Sequence, residues 1–130
     1  MFLFDCTETE SELLHRLASE EYHIELCSIP VPPRMEELPC LIPMLRGLKA
    51  VSVKDTPVSR EMLEMMYEAG TRLLCIRSAS LDMIDTAAAR ELDFTVCHTG
   101  RGAASEEEAL RRTIEACISF YQGRELSPGS

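Results

Sequence analysis

The segments Arg77-Ser78-Ala79-Ser80-Leu81-Asp82 and Lys54-Asp55-Thr56-Pro57 each follow an apolar run and bring charged and hydroxyl side chains to its end. His98 follows an apolar run and could move a proton there. No carboxylate near it in sequence orients it, however, and Cys97 beside it would point to the opposite face of a strand. A phosphate cradle is not expected after the first apolar run. Asp5-Cys6-Thr7-Glu8-Thr9-Glu10-Ser11-Glu12 has hydroxyls but no glycine, and three glutamates that repel an anion. A nucleophile elbow, a P-loop and a dinucleotide fingerprint are missing, since Gly100-Arg101-Gly102-Ala103 lacks the third glycine. The residue pattern by itself assigns no catalytic, cofactor-binding or metal-binding residue.

Six cysteines, at 6, 27, 40, 75, 97 and 117, form no C-x-x-C pair, which excludes the usual metal-knuckle spacing. Most lie in apolar stretches, where a reduced cysteine packs as a small hydrophobe. That usage fits a reducing cytoplasm. A phosphorylated receiver is weighed on spacing: Asp5, Asp55 and Ser78 could fill three of its places. The expected lysine after the fifth strand is replaced by Arg101, and a single early carboxylate is poor for Mg²⁺.

The 130 residues carry 22 acidic and 13 basic side chains, a formal charge of −9, with 45% apolar residues. One globular domain over 1–122 is the natural reading, with a flexible Gly/Ser/Pro-containing tail at 123–130. The acidic balance without a basic run excludes a nucleic-acid surface. No apolar run approaches the roughly 20 residues that cross a bilayer, and Met1-Phe2-Leu3-Phe4 has no basic leader, so neither a span nor a signal peptide is expected.

Short apolar runs alternate with amphipathic ones, the pattern of a parallel sheet covered by helices. Strands are expected at 1–6, 22–29, 49–54, 72–77 and 94–98. Runs such as Leu73-Leu74-Cys75-Ile76 are continuous because both faces are buried. Thr9 with Glu12 predicts a capping box for the first helix, with Leu13, Leu14 and Leu17 inward. Met62, Leu63, Met65 and Met66 predict a second helix, with Gly70 as its left-handed cap. Asp82 is expected to cap a helix through Ala87–Ala89 to Leu92. Ser105 with Glu108 predicts a capping box for the last helix. Prolines at 30, 32, 33, 39 and 43 predict a loop with short helical turns. The fold class is α/β: a flavodoxin-like, doubly wound, five-stranded parallel sheet of order 2-1-3-4-5 with helices on both faces. Ligands of such sheets bind beyond the carboxyl ends of the strands, which places residues 77–82 in the crevice.

The stretch Gly47-Leu48-Lys49-Ala50-Val51-Ser52-Val53, then Val58 to Glu64, then Gly70-Thr71-Arg72-Leu73-Leu74-Cys75-Ile76-Arg77-Ser78-Ala79-Ser80-Leu81-Asp82-Met83-Ile84-Asp85 and Ala87 to Val96, resembles the substrate-binding, or catalytic, domain of the D-isomer-specific 2-hydroxyacid dehydrogenases. The arginine, small-residue turn and aspartate after the fourth strand are its most telling part. The resemblance implies a flavodoxin-like domain whose substrate-binding residues are Arg77, Ser78, Ala79, Ser80 and Lys54: the backbone amides of the Arg77–Ser80 turn meet the carboxylate of a small 2-hydroxy or 2-keto acid, and Arg77 or Lys54 adds charge. It implies NAD as cofactor of the two-domain family, held by a second domain that also supplies the arginine, glutamate and histidine of the reaction. No such domain follows residue 122 in this sequence, so the chain alone is expected to be inactive. The alternative is a stand-alone binding or regulatory module on the same fold. Helix 105–122, whose counterpart in the family bridges the two domains, carries Leu110, Ile114, Cys117, Ile118 and Tyr121 on one face. A homodimer through that face is expected, with packing onto its own sheet as the alternative.

Overall fold

A computed structural model describes residues 2–4, 6–22, 27–28 and 49–122. The proline-rich stretch, the residues at 123–130, Cys40 and His23 lie outside the described residues. Five strands, β1 (Phe2–Leu3), β2 (Cys27–Ser28), β3 (Ala50–Val53), β4 (Leu73–Ile76) and β5 (Thr95–Cys97), pair in parallel in the order β2-β1-β3-β4-β5. Helix α1 (Glu8–Arg16) continues into a π-helical segment, Leu17–Tyr22. It is joined by α2 (Arg60–Ala69), α3 (Thr86–Glu91) and α4 (Glu106–Tyr121).

Side-chain alternation along β3 and β4 divides the core in two. Val51, Val53, Leu74 and Ile76 pack with Met62, Leu63 and Met66 of α2 and Ala88 and Ala89 of α3. Ala50, Leu73 and Cys75 point the other way, toward Leu14 and Leu17 and toward Leu110, Ile114 and Cys117 of α4. Both faces are thus covered, which is why these strands read as continuous apolar runs. Each fully buried Leu or Met contributes about 1.5–3 kcal/mol.

The helix ends differ from expectation by a few residues. Thr7, not Thr9, caps α1: its hydroxyl accepts the Glu10 N–H and the Glu10 carboxylate accepts the Thr7 N–H, both at 3.1 Å. Two overlapping T-x-x-E patterns are present, and in the earlier one, which is used, Glu10 also meets the buried Arg77 guanidinium. Asp85, not Asp82, caps α3 by accepting the Ala88 N–H at 3.0 Å. Ser105 caps α4 as expected, while Glu108 reaches one residue further back and accepts the Ala104 N–H at 2.8 Å. Gly70 ends α2 with φ +105°, the left-handed cap its position requires.

Helix α4 packs onto the chain's own sheet, the alternative to the dimer expected through 105–122. Leu110 and Ile114 are fully buried and Cys117 nearly so, all against the chain's own sheet and α1. Ile118 packs at the edge of the same cluster. Tyr121 is 48% exposed, and its hydroxyl accepts the Lys49 N–H at 2.8 Å. Most of the apolar stripe is thus covered inside the chain, the alternative that the sequence left open.

Candidate functional site at the carboxyl ends of the strands

Arg77 follows β4 and turns inward, with its side chain fully buried. All three of its guanidinium nitrogens are engaged. Nε meets Glu10 Oε2 at 3.2 Å, Nη1 donates to Ser52 Oγ at 2.7 Å, and Nη2 donates to the Phe4 carbonyl at 2.5 Å. One side chain therefore ties together the ends of β1, β3 and β4 and the start of α1. Glu10 is 2% exposed and also accepts from Lys54 Nζ at 3.3 Å, while Lys54 reaches Glu106 at 3.5 Å. Partial burial disfavours the Lys54 ammonium, but the two carboxylates outweigh it and raise its pKa above the ordinary 10.5. Two cations and two carboxylates form a balanced cluster with its arginine fully enclosed.

Residues 98–100 close over the next peptide. His98, 5% exposed, has Nε2 2.7 Å from the Ser78 carbonyl oxygen. A carbonyl only accepts, so this nitrogen carries the proton. The Thr99 hydroxyl bonds the Ile76 carbonyl at 3.3 Å and the Thr113 hydroxyl at 2.7 Å, and the Gly100 N–H donates to Ile76 at 3.1 Å. A Cβ on Gly100 would lie 2.0 Å from the Arg77 carbonyl oxygen and 2.4 Å from that of Ser78. Only glycine permits this approach.

The turn that emerges is exposed at Ala79 and Ser80 and half-buried at Ser78. Its hydroxyls serve the backbone: Ser78 Oγ accepts the Ser80 N–H at 3.2 Å, and Ser80 Oγ accepts the Asp82 N–H at 3.1 Å. Among the described residues, the Ala79 and Leu81 N–H groups have no protein acceptor. The structure thus brings Ser78, Ala79, Ser80 and Leu81 to the surface of the crevice, with Lys54 one-quarter exposed at the end of β3. It turns Arg77 away from solvent, into a structural role that the sequence reading did not give it. His98 braces the turn through Ser78 rather than facing a carboxylate.

Glu10, Ser52 and Gly100 are the contributors that sequence reasoning missed. Glu10 was read only as one of three glutamates that repel an anion, although its place three residues after Thr7 was a usable signal. The NAD expected of the resembled family does not fit these residues. The start of α1 is already occupied by Thr7 and the Glu10 carboxylate, with Glu8 in the same turn, so a pyrophosphate would meet like charge where it needs open N–H groups. Among the described residues no group of three or more His, Cys, Asp or Glu could hold a metal, and no helix is long and apolar enough to cross a membrane.

The sequence profile of the family described as D-isomer specific 2-hydroxyacid dehydrogenase, catalytic domain, matches residues 2–127. The chain belongs to this family. Solved dehydrogenase structures share its fold. A D-lactate dehydrogenase from Treponema pallidum is 15% identical with a TM-score of 0.66, covering 98% of this chain and 41% of its own. The apo D-lactate dehydrogenase from Escherichia coli is 21% identical with a TM-score of 0.63, covering 73% of this chain and 29% of its own. D-2-hydroxyisocaproate dehydrogenase is 17% identical with a TM-score of 0.63, with 73% and 28% covered. The chain therefore spans well under half of each of these dehydrogenases. Comparison with curated protein sequences gives no match.

Proposed function

We propose that this chain is the substrate-side domain of a D-2-hydroxyacid dehydrogenase system, built on a flavodoxin-like doubly wound sheet and forming one domain over residues 1–122. It holds a small 2-hydroxy or 2-keto acid by its carboxylate at the Ser78-Ala79-Ser80 turn. The carrying observation is the pair of amides at Ala79 and Leu81, without acceptors among the described residues, on a turn whose preceding peptides are held by Arg77, His98 and Gly100. Such amides are suited to a carboxylate and are already ordered before it arrives. Lys54 supplies weak additional attraction, because Glu10 and Glu106 share its charge. Arg77 acts by fixing the turn.

Hydride transfer is assigned to an NAD-binding domain acting with this one, since the 130 residues contain no G-x-G-x-x-G segment. On this reading the chain alone neither binds NADH nor reduces pyruvate. The buried thiols of Cys6, Cys75, Cys97 and Cys117, none in a disulfide, support a reducing cytoplasmic setting. The test is an amide-shift titration of the chain with pyruvate, D-lactate and glyoxylate. Saturable shifts at Ala79 and Leu81 in the millimolar range are expected, with no saturable response to NADH. Shifts confined to other residues would reject the turn as the binding site.

A further inference from the structure

Cys75 of β4 and Cys97 of β5 are register partners in the parallel pairing of these strands. Neighbouring strands lie about 4.8 Å apart, inside the range of Cα separations that disulfides span. Both side chains belong to the core cluster on the α1 and α4 side of the sheet, so the two sulfurs share one face. Cys75 is completely buried and Cys97 is 1% exposed. The two positions differ in access, because β4 is interior whereas β5 is the sheet's last strand, only three residues long, with Thr95 and Val96 half-exposed. A short edge strand opens locally at far lower cost than the whole domain unfolds.

We propose that Cys75 and Cys97 form an oxidisable dithiol, converted by a peroxide to an intramolecular disulfide that ties β5 to β4. The Cys97 thiolate attacks one peroxide oxygen. The O–O bond breaks, giving a Cys97 sulfenic acid and hydroxide, which takes up the thiol's proton as water. The Cys75 sulfur then attacks the sulfenyl sulfur, the S–O bond breaks, and the departing hydroxide leaves as a second water with the Cys75 proton. Two thiols lose two electrons and two protons, and one peroxide becomes two waters. Cys97 is the natural attacking group. A hydrogen bond from Cys75 pulls its thiol below the ordinary value, whereas the Cys97 contact and complete burial push Cys75 up. Cys117, also in this cluster, is pushed up by burial. The bond would lie directly beneath the candidate site, since Cys97 precedes His98, which holds the Ser78 carbonyl, and Cys75 lies two residues before Arg77.

The sequence makes the product easy to identify. Trypsin cuts after Arg72, Arg77, Arg90 and Arg101, leaving Cys75 in the peptide 73–77 and Cys97 in the peptide 91–101. The folded chain is treated with hydrogen peroxide, quenched with an alkylating reagent and digested without reductant. The expected dominant product is the cross-linked pair of these two peptides. It disappears on treatment with dithiothreitol and in Cys97→Ser, persists in Cys117→Ala, and becomes a minor species among many when oxidation is done in urea. Disulfides dominated by other cysteines, sulfinic acid without a cross-link, or equal yield of the pair in urea would each overturn the proposal. Cys75→Ala serves as a second variant if Cys97→Ser does not fold, and it must abolish the same product.

Discussion

Replacing Glu10 by glutamine tests the central piece of physical reasoning, that a buried carboxylate compensates the enclosed Arg77 charge. The amide keeps nearly the same shape but has one acceptor oxygen where Glu10 uses two, for Arg77 Nε and for the Thr7 N–H, so the change removes charge and one acceptor rather than packing. Arg77 would then remain fully buried, keeping its bonds to the neutral acceptors Ser52 Oγ and the Phe4 carbonyl but losing the Glu10 carboxylate. Removing one partner of such a pair costs about 3–5 kcal/mol. With about 2.1 cal/mol/K of unfolding entropy per residue over 130 residues, that corresponds to a fall in Tm of about 11–18 °C. Urea unfolding followed by circular dichroism should show the midpoint falling with an unchanged slope, the sign of lost stability rather than altered compactness. The double change Glu10→Leu with Arg77→Met should cost no more than Glu10→Gln alone, because it removes the stranded charge together with its partner. A loss below about 1 kcal/mol for Glu10→Gln would refute the reasoning and mean that solvent, not Glu10, neutralises the arginine.

Gly100→Ala should destabilise by about 1–3 kcal/mol or more, because its new methyl meets backbone oxygen at 2.0 Å and the Arg77–Ser78 peptide must move. Gly70→Ala, at φ +105° in open space, should cost about 1 kcal/mol by strain alone and leave the amide shifts of Ser78–Leu81 unchanged. Ile114→Asp should unfold the chain rather than dissociate a dimer, since it places a carboxylate in a fully buried position. Light scattering joined to circular dichroism distinguishes these outcomes, and a folded monomer produced from a dimer would contradict the packing of α4. Glu108→Gln bears on pH. The Ala104 N–H, followed by Arg112, holds the Glu108 carboxyl below its ordinary 4.5, so its stabilisation is present above that value and is lost as pH falls through the lowered one. The stability difference between wild type and Glu108→Gln should therefore shrink as the solution is acidified below pH 4.5.

The layered fold was legible because both of its signals are local in the sequence. The continuous apolar runs at 50–53 and 73–76 mark strands buried on two faces, and the stripe Met62, Leu63, Met66 followed by Gly70 marks a helix with its end. Cap positions were less legible because Thr7, Thr9, Asp82 and Asp85 all carry capping chemistry, and tertiary contacts decide among them. Arg77 bonds Glu10 only if α1 begins at Thr7; Val58 pairs with Met83 and Asp85, leaving Asp85 at the start of α3. The stripe on α4 was read correctly as apolar, but its partner was not contained in the stripe. Leu110, Ile114 and Cys117 match the small and apolar residues Ala50, Cys75 and Cys97 of the sheet, a complementarity that appears only once the strands are ordered.

The same reasoning explains why the arginine after β4 was misread as a binding group. At the end of an interior strand a long cation has two places to go, the solvent crevice or the gap between the sheet and α1. Sequence alone favours the crevice, because an enclosed guanidinium costs several kcal/mol unless charge and acceptors surround it. Here the compensation is distributed over Phe4, Ser52 and Glu10, residues 73, 25 and 67 positions away. None of those separations has a sequence signature. The arrangement leaves the exposed turn with little positive charge of its own, for Lys54 is shared between Glu10 and Glu106. Any carboxylate held at Ala79 and Leu81 is thus recognised chiefly by oriented amides. Its affinity should therefore depend only weakly on salt, and a Lys54→Met variant should bind pyruvate within about fivefold of the wild type, the ceiling for a partly screened ion pair. A larger loss in that titration would return Lys54 to the role of principal anion ligand.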